Sequence, residues 1–160
     1  MPEHPFDHFI QRYFPSDQWE NAACISLAEV PTDAPGYPDV VRSVGPIECA
    51  GVAVEDAQAY GIFGILDVCY DPAISLTSPF PQHYWDRVLD PNVNTWMAAL
   101  IWSINGWEAW TTCASCNVCD VDGTIVPHPR HPVEEGLNPI VVGAGVAVLG
   151  GLLVAAARRR

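Results

Sequence analysis

The sequence predicts a mainly α-helical (α+β) domain that is followed by one C-terminal transmembrane helix. Residues 19–29 and 91–104 carry apolar side chains at helical spacing, which indicates two packed helices. Residues 140–157 contain no charge and are rich in Val, Leu, Gly and Ala. A helix of that length, about 27 Å, just crosses a hydrocarbon core of about 30 Å. The chain of 160 residues has room for one compact domain and a small addition.

The N-terminal third is predicted to hold two helices and a long loop. Aromatic residues anchor a short helix in the first 14 residues, which ends at Pro15. Ser16 and Asp17 then offer an N-cap for the helix that runs to Glu29. Residues 31–51 are rich in Pro, Gly and Asp and are predicted to form an ordered loop.

The middle of the chain contains the best second helix. Residues 57–68 are apolar with two glycines, so strand, turn and short helix all stay open, and residues 70–84 are predicted to be loop. Asp90 and Pro91 open the second helix, with Pro at its first position, and the pair Asn105–Gly106 suits its C-cap.

We expect the domain to span residues 1–125, with a Pro/His-rich linker at 126–139, the membrane helix at 140–157 and a basic tail at 158–160. The three arginines of the tail favour a cytoplasmic C-terminus and a domain on the external or periplasmic side. Residues 1–8 have neither a basic nor an apolar signal region, which suggests a tail anchor or delivery by a particle. Small residues recur every four positions in the predicted membrane helix, which indicates either helix–helix packing or simple composition.

The charge distribution argues against nucleic acid as a partner. All 19 acidic residues lie at or before Glu135, against four arginines and no lysine, which gives this part a formal charge of −15. The histidines at 4, 8, 128 and 131 are expected to be solvated. No cofactor is predicted.

Six cysteines in an external-facing domain indicate disulfides. The run Cys113, Cys116 and Cys119, with His128 and His131 beyond it, also offers ligands for zinc. We favour disulfides, from this run to Cys49, to Cys69 or within it, and predict no metal. Cys24 is expected to be either a disulfide partner or a small buried residue.

Glu29 is the residue with the clearest chemical potential. It ends an apolar helical face, so its carboxyl group enters partly desolvated surroundings. Burial disfavours the charged form of a carboxylic acid, which suits a general acid near neutral pH.

Three blocks follow one another in order: Ala22 to Glu29, Ala59 to Ile65, and Leu89 to Ala99 continuing into Asn105–Gly106–Trp107–Glu108–Ala109–Trp110. Together they resemble the lysozyme-like soluble lytic transglycosylases, which cleave the glycan strands of peptidoglycan. The resemblance covers about residues 17–113. This chain departs from the family pattern in having Val30–Pro31 where the family has Ser-Gly-Gly, and Gly64 in place of a glutamine.

The resemblance implies roles for particular residues. Glu29 would be the catalytic acid and base, and Tyr60, Gly61 and Phe63 would border the glycan subsites. Trp107 and Trp110 would pack beneath the cleft or line it. A transglycosylase can work with one glutamate, whereas simple hydrolysis uses a second carboxylate. The candidates for that second carboxylate are Asp33, Asp56 and Asp67.

The resulting hypothesis is a membrane-anchored enzyme that degrades peptidoglycan, acting as a phage virion component on the cell wall during entry, in the virion membrane or tail. A bacterial wall-remodelling enzyme with the same anchor is the nearest rival. The alternative from another class is a structural virion or membrane protein whose inactive lysozyme-like domain binds glycan. A metal-stabilised interaction module built on the cysteine run is a third hypothesis.

Overall fold

The computed structural model describes residues 4–119. The predicted linker at 126–139, the membrane helix at 140–157 and the basic tail lie outside the described residues. Between residues 4 and 119, no helix is both long and apolar enough to cross a membrane.

The fold combines short helices with one small sheet, as the predicted α+β class requires. Its elements in chain order are α1 (Asp7–Tyr13), a 3₁₀ turn (Ser16–Gln18), α2 (Trp19–Glu29), β1 (Val41–Cys49), β2 (Val52–Tyr60), β3 (Ile65–Leu66), α3 (Asp67–Tyr70), α4 (Gln82–Trp85), α5 (Pro91–Asn105), a second 3₁₀ turn (Trp107–Ala109) and α6 (Cys113–Cys116). The three strands form an antiparallel sheet in the order β1–β2–β3.

The predicted ends of α5 are confirmed. Asp90 occupies the N-cap, where its side chain accepts a hydrogen bond from the backbone N–H of Asn92 at 3.0 Å. Pro91 fills the first helical position, and Gly106 ends the helix with φ of 67°. This positive φ is strained for any residue with a Cβ, which explains the glycine.

The predicted cap of α2 is wrong. Ser16 and Asp17 form a 3₁₀ turn, and Gln18 takes the N-cap position. The Gln18 side chain accepts a hydrogen bond from Nε1 of Trp107 at 2.8 Å. The Gln18 side chain makes no capping hydrogen bond to α2 and instead contacts a residue 89 positions along the chain.

The predicted loop at residues 31–51 is also wrong, because its second half is strand β1. Gly45 has φ of 83° and lies between two register shifts in the pairing of β1 with β2. Pro46 follows at the same irregularity. Since β1 is an edge strand, it tolerates a bulge and a proline that would disrupt a central strand. Residues 57–68, for which the sequence allowed strand, turn or short helix, contain the end of β2, a turn, β3 and the start of α3.

An aromatic cluster forms part of the core. Phe14 stacks on Trp107 with ring centroids 5.4 Å apart and lies 5.9 Å from Phe63. Trp102 completes the cluster at 5.7 Å from Trp107. The side chains of Phe63 and Trp107 are fully buried here.

All six cysteines form disulfides, which confirms that disulfides form and that one lies within the run, whereas the predicted bonds from the run to Cys49 or Cys69 are wrong. The pairs are Cys24–Cys116, Cys49–Cys69 and Cys113–Cys119. The pairing of Cys24 with the C-terminal run links two segments that are 92 residues apart. Every thiol of the run is therefore used in a disulfide, and no thiolate is left to bind zinc.

His4 was expected to be solvated, but it is 3% exposed. Its Nδ1 accepts a hydrogen bond from the backbone N–H of Phe6 at 3.1 Å, so the ring proton lies on Nε2. Nε2 donates to Oγ of Ser26, which in turn donates to the carbonyl oxygen of Ile62, both at 3.0 Å. The neutral imidazole thus joins the N-terminus to α2 and to the turn after β2.

The free energy of unfolding is expected to decrease as the pH is lowered below the normal pKa of histidine. Burial lowers the pKa of His4 from 6.5, and the negative charge of Asp7 opposes this in part. The unfolded chain therefore takes up the proton first, which lowers the free energy of unfolding by up to about 1.4 kcal/mol per pH unit below 6.5. This loss of stability stops once the pH falls below the lowered pKa of His4 in the folded protein.

Urea unfolding between pH 7.5 and 5.5 measures this loss, with His4→Gln as the variant that cannot titrate. His8→Gln is the matched control, because His8 is exposed. We expect a shallower pH dependence for His4→Gln and an unchanged one for His8→Gln. The same slope in all three proteins would contradict the assignment.

Candidate active site

The turn that connects β2 to β3, residues 60–64, is held by side chains from distant parts of the chain. Asn94 of α5 is fully buried, and its Oδ1 accepts from the backbone N–H of Phe63 at 2.9 Å. Its Nδ2 donates to the carbonyl oxygens of Tyr60 and Val88 at 3.0 and 2.9 Å. One amide side chain therefore satisfies three backbone groups of two loops.

Two more side chains complete this support. Ser26 of α2 donates to the carbonyl oxygen of Ile62, and Nε1 of Trp110 donates to that of Phe63 at 2.8 Å. Ser26, Asn94 and Trp110 come from the first and third blocks, and the turn comes from the second. The structure brings all three blocks together in one unit.

Glu29 lies at the end of α2 beside this turn, with a side chain that is 7% exposed. Its Oε1 accepts a hydrogen bond from Oγ1 of Thr112 at 2.7 Å. Its Oε2 forms an ion pair with Nη2 of Arg42, and Nη1 of the same guanidinium donates to the backbone carbonyl of Glu29.

Gly64 allows the turn to approach this carboxylate. A Cβ at this position would lie 2.8 Å from Oε2 of Glu29 and 3.3 Å from Nη2 of Arg42. Its φ of 58° is also in the left-handed region. A glycine at position 64 therefore has a steric reason in this chain.

A cavity of about 240 Å³ opens between the sheet and the helices, with Glu29 in its wall. Most of its lining is apolar and comes from the three strands, α5 and the segment 109–111. A second cavity of about 250 Å³, beside the Cys49–Cys69 disulfide, shares Tyr70 and Ile101 with the first. The two cavities thus adjoin along one groove.

Among the described residues, Glu29 is the only carboxylate that lines the first cavity. Asp67 is buried elsewhere, where its Oδ1 accepts from the backbone N–H groups of Gln58 and Val68 at 3.0 and 2.6 Å. Asp56 accepts a hydrogen bond from Ser43 on the exposed sheet surface. Asp33 lies in the exposed turn after α2. None of the three predicted second carboxylates faces Glu29 across the cavity.

The residues predicted to bind glycan separate into two groups. Trp110 lines the cavity with Glu29. Phe63 and Trp107 belong to the core, and Gly61 packs against Asn94. Tyr60 is half-buried outside the cavity, with its ring 5.3 Å from that of Trp85. Burial raises the pKa of Tyr60, and the charges of Asp67 and Asp71 raise it further.

Sequence reasoning missed Arg42 and Thr112, the two partners of Glu29. Arg42 carried a signal, because arginine is scarce in this acidic chain and a lone cation near an acid suggests a pair. Its segment, however, was predicted to be loop. Thr112 carried no signal, since it lies 83 residues from Glu29.

No protein-family model matches this chain, and the comparisons with curated proteins and with solved structures found no match. Residues 4–119 hold no group of three or more His, Cys, Asp or Glu side chains that could bind a metal ion. The motif blocks and the geometry around Glu29 are therefore the basis for a functional proposal.

Proposed function

We propose that this protein cleaves the glycan strands of peptidoglycan, as a lytic transglycosylase or lysozyme, with Glu29 as acid and base. The observation that carries the proposal is a nearly buried glutamate in the wall of a mostly apolar groove, with defined partners on both carboxylate oxygens. Buried acids in such surroundings are typical of general acid–base catalysis.

In the proposed mechanism, Arg42 leaves Oε2 when the glycan enters. Its side chain is 40% exposed, so it can turn towards solvent without crossing the core. Glu29, then free to hold a proton on Oε2, donates it to the glycosidic oxygen as the bond from that oxygen to C1 breaks. The carboxylate next accepts the proton of the sugar's own 6-hydroxyl while O6 bonds to C1, which closes an anhydro ring.

The single carboxylate favours ring closure over hydrolysis. Two-carboxylate glycosidases place a second acid across the scissile bond, as nucleophile or as base for water. Asp33, Asp56 and Asp67 do not line this cavity in the described part of the chain. An intramolecular hydroxyl needs no second acid, because the substrate positions it.

We further propose that residues 140–157 anchor the protein in a membrane, with the domain on the external side and the enzyme acting from a virion membrane or tail. The charge-free segment and the arginine tail support this. Peptidoglycan strands and the membrane would then be its partners, with further virion proteins packing on the helix. The high acidic content argues against nucleic acid.

The second candidate is a structural virion or membrane protein whose inactive domain binds glycan. The observation that favours it is the occupied carboxylate: Arg42 and Thr112 together engage both oxygens of Glu29. If Arg42 does not leave, Oε2 stays in the ion pair and does not reach a glycosidic oxygen.

Glu29→Gln is expected to reduce peptidoglycan cleavage by roughly 10²- to 10⁴-fold, because the amide can neither donate nor accept the catalytic proton. The assay uses the full chain, purified in detergent under oxidising conditions, with products identified by mass spectrometry. Glu108→Gln is the matched control, since it removes the same charge from an exposed position.

Anhydro-muropeptides released by the wild type and by Glu108→Gln, but not by Glu29→Gln, would support a transglycosylase. Reducing-end products would instead identify a lysozyme and require a second acid. A folded wild type that cleaves no cell wall but sediments with purified sacculi would favour the second candidate.

A further inference from the structure

Thr112 connects the C-terminal segment of the described chain to Glu29. Its hydroxyl donates to Oε1, while Oε2 faces Arg42 and the backbone of Gly64. A threonine hydroxyl has one hydrogen to donate. Oε1 is therefore engaged on the Thr112 side, whereas Oε2 is the oxygen that becomes free when Arg42 leaves.

A disulfide fixes the segment that carries Thr112. Cys116, four residues after Thr112, is bonded to Cys24, five residues before Glu29 on the same helix. The backbone carbonyl of Thr112 also accepts from the N–H groups of Ser115 and Cys116, at 2.9 and 3.3 Å. The donor of the hydrogen bond and its acceptor thus lie on two segments that are covalently joined within about two helical turns of the contact.

We propose that Thr112 is a positioning residue for Glu29, and that the Cys24–Cys116 disulfide holds it in place. This inference rests on the proposed function. With the Thr112 hydroxyl donating to Oε1, the exchangeable proton resides on Oε2, the oxygen that Arg42 vacates. Without the hydroxyl, the carboxyl group can rotate and present its proton away from the glycosidic oxygen.

Two substitutions separate the hydroxyl from the shape of the side chain. Thr112→Val keeps the branched shape and removes the donor, whereas Thr112→Ser keeps the donor and removes the methyl group. We expect kcat of Thr112→Val to fall roughly 10- to 100-fold, the usual size for a hydrogen bond to a charged group, with KM within about threefold. Thr112→Ser is expected to retain kcat within about threefold.

The role of the disulfide is tested by combining its removal with Thr112→Val. Replacing Cys24 and Cys116 with alanine should lower kcat in the wild-type background and produce little further loss in Thr112→Val, because both changes remove the same hydrogen bond. All assays use the full chain at a temperature where near-ultraviolet circular dichroism shows each variant folded.

Equal kcat for Thr112→Val and wild type would overturn the inference and leave the proposed function intact. Equal losses in Thr112→Val and Thr112→Ser would also overturn it, because the hydroxyl would then be irrelevant. If the combined variant loses as much kcat as Thr112→Val and the Cys24/Cys116 double alanine variant together would predict, the role assigned to the disulfide would be overturned. A wild type without activity identifies failure of the proposed function itself, and the positioning role falls with it.

Discussion

Replacing Cys24 and Cys116 with alanine is expected to lower the free energy of unfolding by about 4.6 kcal/mol. This disulfide closes a loop of 92 residues, and in the chain-entropy account the stabilisation grows with loop length. The same account gives about 2.2 kcal/mol for Cys113–Cys119, which are 6 residues apart. Since small domains are commonly stable by only about 5–15 kcal/mol, the first loss is a large share of the total.

The comparison of these two cysteine pairs is the decisive measurement. Urea unfolding of the full chain under non-reducing conditions gives the midpoint and slope for each double alanine variant. The Cys113/Cys119 variant is the matched control, because it also removes two sulfur atoms and one disulfide, but from a short loop. Equal losses in both variants would contradict the dependence on loop length.

Asn94→Ala is expected to cost about 3–5 kcal/mol of stability. The substitution leaves the N–H of Phe63 and the carbonyl oxygens of Tyr60 and Val88 without their side-chain partner inside the protein. A buried polar group that loses its partner costs about 1–3 kcal/mol. The turn would also lose its attachment to α5, so Gly64 would no longer be held against Glu29.

Asn105→Ala is the control for Asn94→Ala. Asn105 ends the same helix, is exposed and makes one long hydrogen bond of 3.3 Å, to the carbonyl oxygen of Ile101. We expect a change of less than about 1 kcal/mol there, as for most surface substitutions. Urea midpoints for the two variants give the comparison. A loss at Asn94 as small as that at Asn105 would mean that water replaces the missing amide.

The elements that sequence predicts well here are those that local residues specify. Helix α5 has a capping aspartate, a proline at its first position, an apolar face and a glycine at its end, and each signal acts within one turn of the chain. The position of Glu29 at the end of α2 has the same origin. The even cysteine count likewise indicated disulfides without a structure.

The elements that sequence predicts poorly are specified by partners. Strand β1 contains Gly45 and Pro46 and reads as loop, because its pairing with β2 supplies what its own residues lack. The N-cap of α2 is Gln18, whose side chain is held by the distant Trp107. His4, near the N-terminus, is buried because Ser26 and Phe6 satisfy both ring nitrogens.

The sequence by itself determined helices α1, α2 and α5, the acid at the end of α2 and the blocks that surround it, because these follow from side-chain periodicity and local signals. Only the tertiary structure decided which residues contact that acid. Arg42 and Thr112 reach Glu29 from 13 and 83 residues away, and which cysteines pair also depends on distance in space. The chemistry of a carboxylate depends on the charges and donors within a few ångströms, and those neighbours exist only after folding.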